Sequence, residues 1–155
     1  MPATMSYSLK GQELTEQFEA SGHPNLTAYW DSLGKVWTIG YGHTGSEVHE
    51  GLTWTKEQCE SALQSDIHWA SNACNSLVHI SLTQGEFDAI TDFIYNVGVG
   101  NFAHSTMLKL LNAHCLAEAA NEFEKWDRAK GVVIAGLLRR RWAEKEEFLE
   151  DTVKS

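Results

Sequence analysis

Apolar side chains change their period twice along this chain. Leu9, Leu14 and Phe18 recur at helical spacing, which predicts a short helix from about Ser8 to Ala20. Between Ser21 and Leu52 that period is lost. Glycines at 22, 34, 40, 42, 45 and 51 are mixed with Tyr29, Trp30, Val36, Trp37, Ile39 and Tyr41. Turn residues alternating with aromatic and β-branched residues predict a small antiparallel sheet.

Helical spacing then returns. Thr55 with Gln58 has the form of a capping box, in which each residue's side chain satisfies the other's backbone N–H. Cys59, Leu63, Ala70, Cys74 and Leu77 follow on one helical face and predict a long helix. Thr83 with Glu86 is a second capping box, followed by Phe87, Ile90, Ile94 and Val97. Further helices are predicted near Ser105–Asn112, Leu116–Trp126 and Val133–Glu150. A helix, a small sheet and then many helices make an α+β fold with the sheet segregated at one end. We expect one domain over 1–155: a sheet lobe at about 21–54, a linking helix at about 55–78, and a larger helical lobe at about 79–150 together with the first helix, 8–20.

Composition narrows the classes. Hydrophobic residues make up 43% of 155 residues, enough for a folded core. No run of about 18 apolar residues is present. Met1 to Lys10 lacks the basic start and apolar stretch of a secretory signal, so synthesis in a cytoplasm without an export signal is expected. A net charge of −9 disfavours nucleic acid and electrostatic attraction to an acidic cell wall. Positive charge is concentrated late, in Arg128, Lys130 and Arg139-Arg140-Arg141. Cys59, Cys74 and Cys115 are odd in number and lack paired spacing, which predicts buried thiols, with neither a disulfide framework nor a zinc site. On one helix, Cys59 and Cys74 would lie about 22 Å apart, too far to bond. The seven histidines are scattered, so no metal or other cofactor is expected.

The polar residues around the predicted sheet suggest chemistry. Glycoside hydrolysis uses a carboxylic acid to protonate the leaving oxygen and a second group to supply a nucleophile or hold a water. Glu19 closes the first helix, Asp31 lies in the first hairpin and Thr38 on the next strand. The glycines at 40, 42 and 45 allow close approach of a ligand to the backbone. On spacing alone the plain readings come first: a Glu at a helix end is usually solvated, and an Asp before Ser-Leu-Gly is usually a turn residue.

Phe18-Glu19-Ala20, Ala28-Tyr29-Trp30-Asp31 and Thr38-Ile39-Gly40-Tyr41-Gly42-His43-Thr44 together resemble the phage-type lysozymes (endolysins) of glycoside hydrolase family 24. The resemblance continues at Leu82-Thr83-Gln84, Asn96-Val97-Gly98, Ser105-Thr106-Met107-Leu108 and Gly136-Leu137-Leu138-Arg139-Arg140, over roughly 9–150. It implies a lysozyme-like fold and a catalytic triad of Glu19, Asp31 and Thr38. Glu19 would be the acid, and Asp31 and Thr38 would hold the water. It further implies substrate contacts at Asn96, Tyr41 and Gly42, an arginine beside Glu19 (Arg140 first, Arg139 second), and an ion pair between His43 and Asp66. The twelve residues from Glu19 to Asp31 and the seven from Asp31 to Thr38 exceed the family pattern; a longer loop at Ser21–Asn25 and an added Lys35 accommodate them. Each residue also has a plainer reading: a structural His43, Asn96 as a helix cap, Trp126 as core, and the arginine run as a solvated face.

The resulting expectation is a monomeric muramidase. It would cut the β-1,4 bond between N-acetylmuramic acid and N-acetylglucosamine in peptidoglycan with inversion, and so lyse bacteria. Inversion expects carboxyls about 6.5–9.5 Å apart. A lytic transglycosylase or an inactive cell-wall-binding module are the alternatives. A holin or a secretion machine would release the protein from the cytoplasm to the wall in the periplasm.

Overall fold

The computed structural model describes residues 2–129 and 132–154. Lys130, one of the late basic residues, lies outside them. The elements are α1 (Leu9–Phe18), β1 (Asn25–Asp31), β2 (Val36–Gly40), β3 (His43–Thr44), α2 (Lys56–Asp66), α3 (His68–Leu77), α4 (Gln84–Val97), α5 (Val99–Ala103), α6 (Thr106–Asn112), α7 (Leu116–Glu122), β4 (Arg128–Ala129), β5 (Val132–Val133) and α8 (Ala135–Lys154). Short 3₁₀ helices occupy Ala20–Gly22 and Phe123–Trp126. The fold is α+β, in the order that the apolar periods predict.

Two local differences have physical causes. The helix expected at 55–78 is two helices, interrupted at Ile67, whose ψ of −10° is too flat to continue a regular ladder. The short α5 and the β4–β5 hairpin have too few residues to show a period. Val133, expected to begin the last helix, is therefore a strand residue.

The chain forms two compact units, residues 15–68 and residues 1–14 with 69–155. In the first, β1, β2 and β3 make an antiparallel sheet in that order. Its small core is Ala28, Ile39 and Val48, with half-buried Trp37, Leu52 and Trp54 packed against it. Helix α2 packs on β2 and β3, burying Cys59 and Leu63. The capping box starts α2: Thr55 N–H donates to Gln58 Oε1 at 2.8 Å, and Gln58 N–H to Thr55 Oγ1 at 3.2 Å.

In the second unit α4 is buried from Gly85 through Ile94 and packs along α8. Phe93 makes edge contacts with Phe102, Phe123 and Trp126. A helix covered on every side must find partners for its polar groups. Glu86 closes the capping box with Thr83 at 2.8 and 3.1 Å. Asp88 accepts from the Ser8 hydroxyl and from Gln84 at 2.9 Å. Ser8 Oγ in turn accepts the Gly11 N–H at 3.0 Å, capping α1. Asp92 accepts a two-pronged contact from Arg140, Nε at 2.9 Å and Nη2 at 2.8 Å.

Arg141, the next residue, pairs with Glu144 at 2.6 Å and lies over the Phe93 ring. Asp92, Arg140, Arg141 and Glu144 are all 4% exposed or less. Burial, then the neighbouring Asp92, pushes the Glu144 carboxyl well above its usual range. Burial likewise lowers the Arg141 guanidinium, against the pull of Glu144.

Removing Asp92 would leave the Arg140 charge buried without its fork partner. Loss of one member of a buried pair costs about 3–5 kcal/mol. Urea denaturation of Asp92→Ala is expected to show a loss of that order. A loss under about 1 kcal/mol would mean that water or another group replaces the carboxylate readily.

Candidate active site

Helix α1 stops at Phe18 because Glu19 leaves helical geometry. The Glu19 N–H still reaches Thr15 O at 3.0 Å, but its φ of −92° and ψ of 137° are extended. Ala20, at φ 51°, turns the chain away into the 3₁₀ helix. The Glu19 carboxylate comes to rest beside the turn joining β2 to β3. A Cβ built on Gly42 would lie 3.7 Å from Glu19 Oε2, and Gly42 itself holds φ 92°. Only glycine keeps that backbone unstrained with the space beside the carboxylate open.

Strand register places the other two residues of the expected triad. Asp31 pairs with Val36, Trp30 with Trp37 and Tyr29 with Thr38. Cross-strand partners point to the same face, and successive residues to opposite faces. Tyr29, Asp31, Val36 and Thr38 therefore share one face, while Trp30, Trp37 and Ile39 share the other with the small core. Asp31 and Thr38 are diagonal neighbours, with a typical separation of about 7–8 Å.

Asp31 Oδ1 accepts the Leu33 N–H at 3.1 Å, so the turn after β1 holds the carboxylate in place. Its Oδ2 lies along Gly34, where a Cβ would come within 2.9 Å. Thr38 is 4% exposed, and its hydroxyl donates to Val36 O at 3.3 Å. A hydroxyl that donates in this way keeps lone pairs to accept from a water.

His43 lies between two carboxylates. Nδ1 is 2.7 Å from Asp66 Oδ2, the expected ion pair, and Nε2 is 2.6 Å from Glu47 Oε1. A neutral imidazole has one N–H and cannot donate to both; the imidazolium can. Partial burial opposes the charge, but the hydrogen bonds His43 donates to Glu47 and Asp66 outweigh it and raise the pKa above its ordinary 6.5. Glu47 is lowered in return, chiefly by its bond to His43. Gly45 makes room, since a Cβ there would collide with the Glu47 carboxylate. The sequence reading missed Glu47, because nothing in an irregular turn marks a contact four residues away.

The remaining predicted residues are spread over both units. Tyr41 is 4% exposed, and its phenol is pushed up to about 12 by burial and by the nearby carboxylates of Glu16 and Glu60. Its side chain is thus a packing group, and Gly42 alone of that pair offers open backbone. Asn96 is exposed near the end of α4, whose cap is Gly98, with φ 96° and its N–H on Ile94 O at 2.8 Å. Arg139 is exposed, whereas Arg140 is buried on Asp92. Asp92 was also missed; an aspartate inside an apolar helical stripe was its only signal. Trp126 packs on Phe93. Among the described residues, no group of three His, Cys, Asp or Glu is placed to hold a metal ion.

A family model described as phage lysozyme matches residues 17–144. This chain belongs to the phage lysozyme family. The endolysin of Bacillus phage B103 is 41% identical over 151 residues, which are 97% of this chain and 57% of that relative. The chain thus spans just over half of that endolysin's length. The endolysin of Acyrthosiphon pisum secondary endosymbiont phage 1 is 38% identical over 148 residues, 93% of this chain and 98% of that one. Among solved structures, the muramidase domain of SpmX from Asticaccaulis excentricus superposes with a TM-score of 0.83 at 36% identity, covering 93% of this chain and 97% of that one. The α+β architecture described above is that of the phage lysozymes.

The His43 cluster makes the stability of this phage lysozyme relative depend on pH. Because the folded pKa is raised, the stabilisation is complete below the unfolded value of 6.5 and is lost as pH rises through the folded one. Asp66→Asn is expected to destabilise by about 1.5 kcal/mol near pH 5.5, where a charged hydrogen bond is lost. The effect should shrink as pH rises through the folded pKa, where the imidazole loses its proton. Thermal melts across that range provide the measurement, and a pH-independent difference would exclude the charged pair.

Proposed function

We propose that this chain is a muramidase that hydrolyses peptidoglycan glycan strands between N-acetylmuramic acid and N-acetylglucosamine. One observation carries the reading. The same compact unit sets a carboxyl, Glu19, against the open backbone of Gly42, and sets a second carboxylate, Asp31, on one sheet face with a hydroxyl, Thr38. Those are the groups an inverting glycosidase needs. Membership of the phage lysozyme family supports the same chemistry.

In this mechanism Glu19 protonates the leaving glycosidic oxygen. The Asp31 carboxylate, held by its turn, accepts a proton from a water that the Thr38 hydroxyl helps to hold. The water attacks the anomeric carbon from the opposite face, so configuration inverts. Gly42 offers backbone to the sugar, and Asn96 is assigned to the N-acetyl groups. Arg140, held by Asp92, is the supporting arginine in preference to exposed Arg139. The chemistry uses carboxyl and hydroxyl groups alone. The protein acts as a monomer on the wall, and a holin or secretion machine gives it access from the cytoplasm.

Glu19→Gln is expected to lower cleavage of purified peptidoglycan by at least about 100-fold, since an amide cannot donate the proton. The melting temperature should be unchanged and a chelator should have no effect on the wild type. Mass spectrometry should find reducing N-acetylmuramic ends. Anhydro-sugar ends would indicate a transglycosylase, and comparable turnover by the variant would remove Glu19 from the mechanism.

A further inference from the structure

Trp69 stands outside the packing of its own helix. In α3 the buried residues are Ala70, Ser71 and Cys74, and Trp69 is 43% exposed. Its ring lies 5.7 Å from that of Tyr95, tilted by 36°. Each aromatic has an exposed amide for a neighbour. Asn72, one turn along α3, is on the same side of the helix as Trp69, and Asn96 follows Tyr95.

The surrounding sequence is unusual in charge. Although 21% of the chain is charged, no Asp, Glu, Lys or Arg occurs from Ile67 to Gly85 or from Phe93 to Leu108. An exposed indole stacked on a half-buried tyrosine, on charge-free stretches of chain that also carry exposed amides, suits a neutral ligand with apolar faces and hydrogen-bonding edges. Anionic lipid would be matched by a basic rim, and these two stretches supply no Lys or Arg.

We propose that Trp69 and Tyr95, flanked by Asn72 and Asn96, form a sugar-stacking platform for an N-acetylated glycan strand. This rests on the muramidase reading and adds contacts outside the triad. The sugar's C–H face packs on the indole, and the amides pair with the N-acetyl groups. An aromatic face is large and rigid, so it gains contact with little loss of side-chain freedom. A polymeric substrate runs beyond the bond being cut, and a grip on its other sugars strengthens binding without changing the chemical step. Loss of such a grip raises KM and leaves kcat alone.

The test uses full-length Glu19→Gln protein, labelled at the indole nitrogens and titrated with chitotetraose. The Trp69 signal is identified by its absence in a Trp69→Phe version. The Trp69 Nε1–H resonance should shift and saturate, with the Asn72 and Asn96 amides moving alongside. In the active enzyme, Trp69→Ala should raise KM on solubilised peptidoglycan about three- to tenfold at constant kcat, and Trp69→Tyr should restore most of the loss. An unmoved Trp69 resonance overturns the platform. So does a shift produced by phosphatidylglycerol vesicles but not by chitotetraose, one that follows protein concentration alone, or a fall in kcat at constant KM. Failure of the wild type to release any glycan fragment would sink the muramidase reading instead, while the titration still decides on the platform.

Discussion

A strand side chain has two directions available, and the pairing of Asp31 with Val36 makes that choice for the turn-proximal half of the hairpin, from Tyr29 to Thr38. A slip of one residue would send Asp31 and Thr38 into the core of Ala28, Ile39 and Val48 and expose Trp37 and Ile39 in their place. The turn that fixes the register includes Lys35 in the left-handed region, at φ 54°. It also includes the Leu33 N–H donated to Asp31 itself. Asp31 as turn residue and Asp31 as water-holding residue are therefore compatible readings. The hydrogen bond that closes the turn also orients the carboxylate.

The helical unit solves a different problem, that of placing acidic side chains where water is excluded. Helix α4 is covered all round, yet it carries Glu86, Asp88 and Asp92. Each is answered by a different device: a helix cap, a serine that itself caps α1, and an arginine fork. The two-pronged contact matters beyond its energy, because it fixes the plane of the Arg140 guanidinium as a single hydrogen bond would not. A long, flexible side chain is thereby held in one orientation within the helical unit.

Much of this was legible in the sequence. Both capping boxes marked the starts of α2 and α4, because Thr55–Gln58 and Thr83–Glu86 act locally through their own backbones. The sheet was legible from its glycines and alternating aromatics, and the residues of the expected triad from a resemblance. What escaped depends on the third dimension. Asp92 and Arg140 are 48 residues apart and meet only once α8 lies on α4. The break at Ile67 comes from one flat dihedral in a sequence without proline or glycine. The burial of Tyr41 follows from neighbours that a strand pattern cannot name.

The thiols give each unit its own internal clock. Cys59 is fully buried in one unit and Cys74 in the other, while Cys115 is half-buried, and all three are free. Burial pushes Cys74 up to about 12, so almost none of it is thiolate at neutral pH. A thiol reagent therefore meets Cys115 first. It reaches Cys59 or Cys74 only when the surrounding unit opens, and each modification rate then reports the opening of one unit. The protein carries, without any engineering, separate reporters on the sheet and the helices.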